Sequence, residues 1–181
     1  INVVRLINVN YNNNAYRISD ETLHFNGKST LISLQNGGGK SVLVQMLTAP
    51  FVHPKYRNTK DRLFESYFTT NKPSFILVEW ALDQGAGYVL TGLMVRKSQD
   101  MEEDRKENLD IIGIVSEYQS PCIQDIHHLP VVEKGKKEMI LKNFNSCRQL
   151  FETYKKDRDM KFFYYDLTNY AQSRQYFNKL M

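Results

Sequence analysis

Alternating apolar and polar positions dominate the first two thirds of the chain, and this period of two is typical of half-buried β-strands. The clearest case is 75–82, where Ile76, Val78, Trp80 and Leu82 share one face. A short loop and a second alternating run follow it, which predicts an antiparallel hairpin. The strands predicted in this way span 3–9, 16–25, 75–82, 88–95, 109–118 and 129–133.

The last third of the chain changes to a helical period. Apolar residues recur three or four positions apart, which predicts one helix over 136–157 with a basic face beside its apolar stripe. Asn169 followed by Gln172 is typical of a capping box and predicts a final helix through Leu180. We therefore expect a single domain over 1–181, strand-rich at 1–135 and helical at 136–181. The stripe consists of Ile140, Phe144, Cys147, Phe151 and Tyr154.

A glycine-rich run separates an apolar segment at 31–34 from an apolar stretch at 42–47. The first segment predicts a buried strand, and the second predicts a buried helix that ends before Pro50. Strand, glycine turn, lysine, hydroxyl and helix in this order are typical of a phosphate-binding loop. Glycines let backbone N–H groups point onto phosphate oxygens, and the helix N-terminus adds a favourable dipole. The predicted site consists of Asn36, Gly37, Gly38, Gly39, Lys40, Ser41 and Val42.

Lys40 and Ser41 indicate which cofactors this site would bind, namely ATP and Mg²⁺. In such loops the lysine reaches the β- and γ-phosphates and the hydroxyl binds Mg²⁺. Leu34 stands where the strict pattern G-x-x-x-x-G-K-[ST] has its first glycine, and the three consecutive glycines partly offset this departure. The alternative is a glycine-rich hairpin that precedes Lys-Ser without binding phosphate, and the apolar helix that follows argues against it.

The composition is that of an ordinary globular protein, with 41% hydrophobic and 24% charged residues. No run approaches the roughly 18 apolar residues of a membrane span, so no membrane partner is expected. Cys122 and Cys147 do not make a disulfide framework, and a cytoplasmic location fits them best. With His127 and His128 they also match no standard zinc spacing. The start at Ile1 favours a fragment of a longer protein.

Positive charge is concentrated in two places, although the net charge is only +4. Nine Lys or Arg residues stand against four Asp or Glu residues between 134 and 161. Segregated basic patches can neutralise nucleic-acid phosphates, which suggests double-stranded DNA as a partner. Solvated helix faces are the alternative explanation of the same charges. The second patch consists of Lys55, Arg57, Lys60 and Arg62, set against Asp61.

A complete ATPase site also needs an acid that holds Mg²⁺ and positions water. Two candidates, Glu79 and Asp166, follow apolar runs at 75–78 and 162–165. Glu79 resembles an ordinary strand residue because its apolar run continues, whereas Asp166 is better placed. We leave the catalytic residues unassigned and expect the chain to carry one half of a nucleotide site.

One pair of residues is a further candidate near a bound nucleotide. Tyr16 and Arg17 follow the first polar turn and could stack on adenine, although a half-exposed strand pair is the favoured explanation.

The phosphate loop and two other segments resemble those of SMC-type ATPases. The run Asn36-Gly37-Gly38-Gly39-Lys40-Ser41 is similar to the N-G-x-G-K-S form of their heads, and 56–59 resembles the R-N-T segment of MukB-like bacterial condensins. The end of the chain, 170–181, resembles the stretch that leaves the head for the coiled coil. The resemblance implies an α/β fold, a P-loop NTPase of ABC/SMC head type. Its N-terminal lobe would have mixed and antiparallel strands around the phosphate-loop helix and a helical C-terminal third.

The same resemblance implies the function and the partners of the chain. It would be the ATP-binding half of a chromosome-organising or anti-plasmid defence ATPase, active only when completed by the C-terminal head lobe of the same protein and by a second head. Accessory subunits and double-stranded DNA would be further partners, in the cytoplasm at the nucleoid. Arg57 and Lys55 would contact DNA or the facing head. Gln119 or Gln124 would be the glutamine that contacts Mg²⁺ in ABC-type lobes, and the strand pattern does not choose between them. The alternatives are an independent P-loop NTPase that uses Asp166 as its Mg²⁺-linked acid, and a nucleic-acid-binding module without ATP turnover.

Overall fold

A six-stranded sheet that is antiparallel at every pairing forms the centre of the fold. The computed structural model describes residues 1–11, 14–37, 39–100, 105 and 107–181. The sheet strands are β1 (Val3–Tyr11), β2 (Tyr16–His24), β3 (Ser74–Ala81), β4 (Tyr88–Lys97), β5 (Leu109–Tyr118) and β8 (Lys161–Asp166). They lie in the order β2-β1-β3-β4-β5-β8. A separate two-stranded hairpin joins β6 (Val132–Lys134) to β7 (Met139–Leu141).

Three α-helices and three short 3₁₀ turns complete the described part of the chain. The helices are α1 (Lys40–Thr48), α2 (Phe144–Lys156) and α3 (Tyr170–Leu180), and the turns are Pro54–Tyr56, Phe64–Tyr67 and Asp83–Gly85. None of the described helices is long and apolar enough to cross a membrane. The predicted strands in β1 to β5 are confirmed, as are the helices predicted after the glycine run and after Asn169.

The predicted fold class, an α/β P-loop NTPase of ABC/SMC head type, is wrong. Such a fold is built on a central parallel sheet, whereas each described strand pair here is antiparallel. Parallel neighbours need crossover connections, and here the strand neighbours β1–β2, β3–β4 and β4–β5 follow each other directly along the chain. The predicted helical third at 136–181 also contains two strands, β7 and β8, and its helices have only 13 and 11 residues.

The long helix predicted over 136–157 begins only at Phe144. Asn143 precedes it with extended backbone, and its side chain accepts a hydrogen bond from the N–H of Ser146, which caps the helix. The strand β7 lies just before this cap. Its backbone groups form hydrogen bonds with β6 and are therefore not available for a helix. Ile140 is 55% exposed and does not belong to the apolar stripe, which starts at Phe144.

The two faces of the sheet are covered by different helices, and each encloses its own apolar core. We call them the α1 face, covered by α1 and α3, and the α2 face, covered by α2. Val42 and Met46 of α1 are buried with residues of β1 and β3 on the α1 face. Phe151 of α2 is buried against Phe162 of β8 on the α2 face. Full burial of each such side chain contributes roughly 1.5–3 kcal/mol, so both helices are held mainly by apolar contact.

α3 is fixed to the sheet and to the end of α1 through one tyrosine. The Tyr176 hydroxyl donates a hydrogen bond to the carbonyl of Pro50, 2.8 Å away, just after α1. Its ring lies against Gly113 of β5, where an added Cβ would come within 2.6 Å of the ring. Glycine is therefore required at this point of the strand for close approach of the helix.

At one asparagine, the side chains of β1 change the face of the sheet to which they point. Val3 and Ile7 point to the α2 face, yet Val9 and Tyr11, two and four residues further on, point to the α1 face. The change occurs at Asn8, whose φ of 55° lies in the left-handed region. The buried Asn8 side chain donates to the carbonyl of Pro73, and its backbone carbonyl accepts from Ser74 Oγ. Tyr11 thereby comes to lie beside α1.

Substitutions at Asn8 test this irregularity. We expect Asn8→Val to be less stable than Asn8→Gly by about 1–2 kcal/mol in urea unfolding, because a β-branched residue strains left-handed backbone and glycine does not. Both variants lose the same side-chain hydrogen bonds, so the comparison isolates the backbone. A regular strand would give the opposite order, since valine favours strands and glycine weakens them.

Candidate phosphate-binding site

The glycine run turns the chain into α1 with two residues in the left-handed region. Gly37 has φ 82° and Gly39 has φ 85°, conformations that glycine adopts without strain. Gly39 directly precedes α1 and is its N-cap, and no side chain caps the helix. The N–H groups of the first turn are thus free to bind an anion, and the helix dipole favours negative charge there. Gly38, which also belongs to the predicted site, lies outside the described residues.

Lys40 and Ser41 are exposed at this helix end. The Lys40 ammonium donates to the Leu34 carbonyl at 2.9 Å and lies 3.5 Å from Asn36 Oδ1. These contacts hold the lysine over its own loop, and its three donors can turn to a phosphate group. Val42 is 1% exposed and packs into the core, so its side chain anchors the helix.

A cavity of about 160 Å³ lies at this helix end. Two of its lining residues come from outside the glycine run. Tyr11 packs its ring 3.5 Å from the position that a Cβ on Gly39 would take, and Arg62 adds a second cation beside Lys40. The cavity is lined by Tyr11, Gly37, Gly39, Lys40, Ser41 and Arg62.

A larger apolar cavity of about 330 Å³ adjoins the first and shares Tyr11 and Gly39 with it. It lies between β2, α1 and the segment after β2. Tyr16, which is 53% exposed, stacks on Tyr11 with ring centroids 5.2 Å apart. Arg17 instead donates to Asn8 Oδ1. The aliphatic and aromatic residues that line the larger cavity are Leu6, Ile18, Leu23, Phe25, Ile32, Leu34, Val42 and Leu43.

The strand predicted at 31–34 is absent from the sheet, so that prediction is wrong. Leu31 is 94% exposed and Ile32 is 39% exposed, although the run reads as a buried strand. An apolar run becomes a buried strand only where neighbouring strands cover it. The described part of the chain supplies none here, since the sheet ends at β2.

A buried hydrogen-bond network fixes α1 relative to the segment that carries Arg62. Gln45 on α1 accepts from the Tyr67 hydroxyl and donates to the Arg57 carbonyl, both at 2.6 Å. Burial raises the pKa of Tyr67, against an opposing contribution from Arg62, so the hydroxyl stays a donor. Gln45 is 6% exposed, and both the oxygen and the nitrogen of its side-chain amide are hydrogen-bonded within the protein.

Arg57 is placed differently from the prediction. It is 2% exposed and donates from Nε to the carbonyl of Ala49 at the end of α1. Burial lowers its pKa, and the carboxyl group of Glu107 opposes this effect. This placement leaves Arg57 no surface from which to contact DNA or a second head, so here it supports α1 from within. Lys55 is exposed, with its ammonium 4.6 Å from the Tyr56 ring centroid.

The acids and glutamines proposed as Mg²⁺ contacts do not line the phosphate cavity. Glu79 is buried and accepts hydrogen bonds from Asn2 and from the Tyr118 hydroxyl. Asp166 accepts from the backbone and hydroxyl of Thr168 in the turn before α3. Gln119 and Gln124 donate to backbone carbonyls of the β3–β4 loop and of β5.

The cysteines and histidines considered for zinc also have separate roles. Cys122 and Cys147 are free thiols, and burial raises the pKa of both. His127 stacks on His24, and His128 bonds to Asp125. Among the described residues, no three His, Cys, Asp or Glu side chains are grouped so that they could hold a metal ion.

Comparisons with known proteins leave the family open. No family model matches the chain, and no curated protein matches it. The likeness to SMC-type heads therefore rests on the residues of the phosphate loop and the segments after it.

Tyr67→Phe tests the network that holds α1. We expect a loss of about 1–3 kcal/mol in urea unfolding, because the Gln45 carbonyl oxygen would be left buried without a donor. Tyr56→Phe is the matched control, since Tyr56 is 66% exposed, and its stability should change by less than about 0.5 kcal/mol. Equal effects at the two positions would contradict the role of the network.

Proposed function

We propose that this chain binds the phosphates of ATP, with Mg²⁺, at the N-terminus of α1. The observation that carries the proposal is the shape of the glycine run: Gly37 and Gly39 adopt left-handed backbone directly before an uncapped helix. Lys40 would bind the β- and γ-phosphates and Ser41 would bind Mg²⁺, since both are exposed at the cavity where the helix begins.

Two residues extend this proposal beyond the motif. Arg62 also lines the cavity, and a guanidinium can contact phosphate oxygens in pairs. Tyr11 borders both cavities, so a nucleotide whose phosphates contact Lys40 can direct its base into the apolar cavity beside β2. The volume of about 330 Å³ and the mainly apolar lining, in which Glu21, His24 and Thr30 are the polar members, suit an uncharged planar base.

The proposed site is one half of an ATPase site. Phosphoryl transfer requires an acid or amide that positions water and an acid that holds the metal, and no carboxylate lines the phosphate cavity in the described structure. The exposed apolar run at Leu31 and Ile32 supports the same idea, because a further lobe could cover it. In this proposal the C-terminal lobe of the same protein and a second head complete the site.

The resemblance to MukB-like ATPases extends the proposal to the whole protein. Head dimerisation and ATP hydrolysis would drive the handling of double-stranded DNA at the nucleoid, together with accessory subunits. Chromosome segregation and anti-plasmid defence would both use this head chemistry. An independent NTPase that relies on Asp166 has less support, because that carboxylate is bound within the turn before α3.

Calorimetric titration of the chain with ATP-γ-S and Mg²⁺ tests the site. We expect Lys40→Ala to weaken binding at least tenfold, since charge-assisted hydrogen bonds contribute about 1.5–3 kcal/mol. Lys134→Ala removes an exposed lysine on β6 and serves as the matched control, with no expected change. Equal affinity in the two variants would contradict the phosphate site.

Hydrolysis by the same preparation tests the half-site. We expect turnover by the isolated chain to stay near background, and to appear only when the completing lobe is fused or added. Rapid, Lys40-dependent turnover by the isolated chain would contradict the half-site while leaving the phosphate site in place.

A further inference from the structure

Exposed cations lie along α2 and the turn that follows it. Arg148, Lys155, Lys156 and Arg158 are all exposed. Lys156 lies 3.6 Å from Glu152, and no described acid lies within ion-pair distance of the other three. Asp157 and Asp159 flank Arg158 in the turn, so the excess of positive charge lies on α2 itself, where three cations stand against Glu152. A polyanion would find this face of α2 complementary.

A groove of about 420 Å³ runs from this helix across the free edge of the sheet. β8 pairs only with β5, so its other edge is open. Arg148 and Lys155 form the wall on α2, and Gln172 and Gln175 form the wall on α3. We call it the edge groove, and its remaining lining residues are Phe163, Tyr164 and Tyr165.

The aromatic residues of the edge groove are occupied by contacts within the protein. The Tyr164 hydroxyl donates to Glu152, and the Lys155 ammonium lies 5.2 Å from the Tyr164 ring centroid. The Tyr165 ring packs on Tyr176, with centroids 5.9 Å apart. Binding of single-stranded nucleic acid relies on free aromatic faces for base stacking. This groove instead offers cations and side-chain amides, which bind phosphate groups.

The spacing of the cations suits a duplex backbone. Arg148 and Lys155 are seven residues apart, which corresponds to about 10.5 Å along a helix. Successive phosphates of one DNA strand follow every 3.4 Å or so along the duplex axis, so two such cations can reach separate phosphates. We propose that the edge groove and the exposed face of α2 bind the phosphate backbone of double-stranded DNA without sequence preference. This inference rests on the proposed DNA-handling function and names the surface that carries it.

Fluorescence anisotropy with a 30-base-pair duplex at several salt concentrations tests the surface. The double variant Arg148→Gln/Lys155→Gln removes two phosphate contacts and should weaken binding at least tenfold. The slope of log K against the logarithm of the salt concentration should become shallower by about two. The matched control is Lys28→Gln/Arg174→Gln, which removes the same charges from exposed positions outside the groove. The control should keep the affinity and the slope of the original chain.

A variant of the opposite wall keeps the test independent of any change in α2. Gln172→Glu/Gln175→Glu places two negative charges in the groove and should also weaken binding at least tenfold. Unchanged DNA binding in both groove variants would overturn the assignment of DNA binding to the edge groove. DNA binding by the original chain would still support the proposed function.

Two further outcomes would also overturn the inference. If the original chain does not bind the duplex at low salt, both the proposed surface and the proposed DNA partner are overturned. The Lys40-dependent ATP site is tested separately by the calorimetric titration. Tighter binding of a single strand of the same length overturns the assignment to duplex DNA.

Discussion

The buried amide of Gln45 holds α1 in the position on which the candidate site depends. It joins the helix to Tyr67 and to the backbone of Arg57, while Val42 and Met46 pack against β1 and β3. Breaking one of these hydrogen bonds would leave a polar atom buried without a partner. The network therefore fixes where the N-terminus of α1 lies, and with it where Arg62 and Tyr11 meet the glycine run.

The sheet separates two surfaces that both suit anions but differ in how they recognise them. At the N-terminus of α1, backbone N–H groups and one lysine surround a small cavity, which suits a compact phosphate chain. Along α2 the cations are spread over several turns and an open groove, which suits an extended polyanion. Tyr176 and the Pro50 carbonyl connect α3, which forms one wall of that groove, to the end of α1.

Local patterns predict β1 to β5 and the starts of α1 and α3, because alternation and capping act over a few residues. The turn from β6 into β7 was missed, since Ile140 falls at helical spacing from Phe144 although it is exposed. The predicted fold class is wrong because it rests on the glycine-loop motif, which does not specify strand direction, although three of the five sheet pairings join consecutive strands. A glycine loop can precede a helix beside an antiparallel sheet as well as a parallel one.

Some residues of the candidate site are predictable from the local sequence, and others are not. The glycine run, Lys40 and Ser41 were visible as a contiguous pattern. Tyr11 and Arg62 reach the cavity only through the irregular backbone at Asn8 and through the Gln45 network. The single available signal for Arg62 was its place in a basic cluster, and that cluster also contained Arg57, which proves to be buried.

Amide chemical shifts of the isotope-labelled chain, followed during addition of Mg²⁺ and ATP-γ-S, test the central claim most directly. The account predicts that the largest changes occur at Gly37, Gly39, Lys40 and Ser41, with smaller changes at Tyr11 beside them. Changes confined to α2 and β8, with the glycine run unaffected, would contradict a phosphate site at the N-terminus of α1.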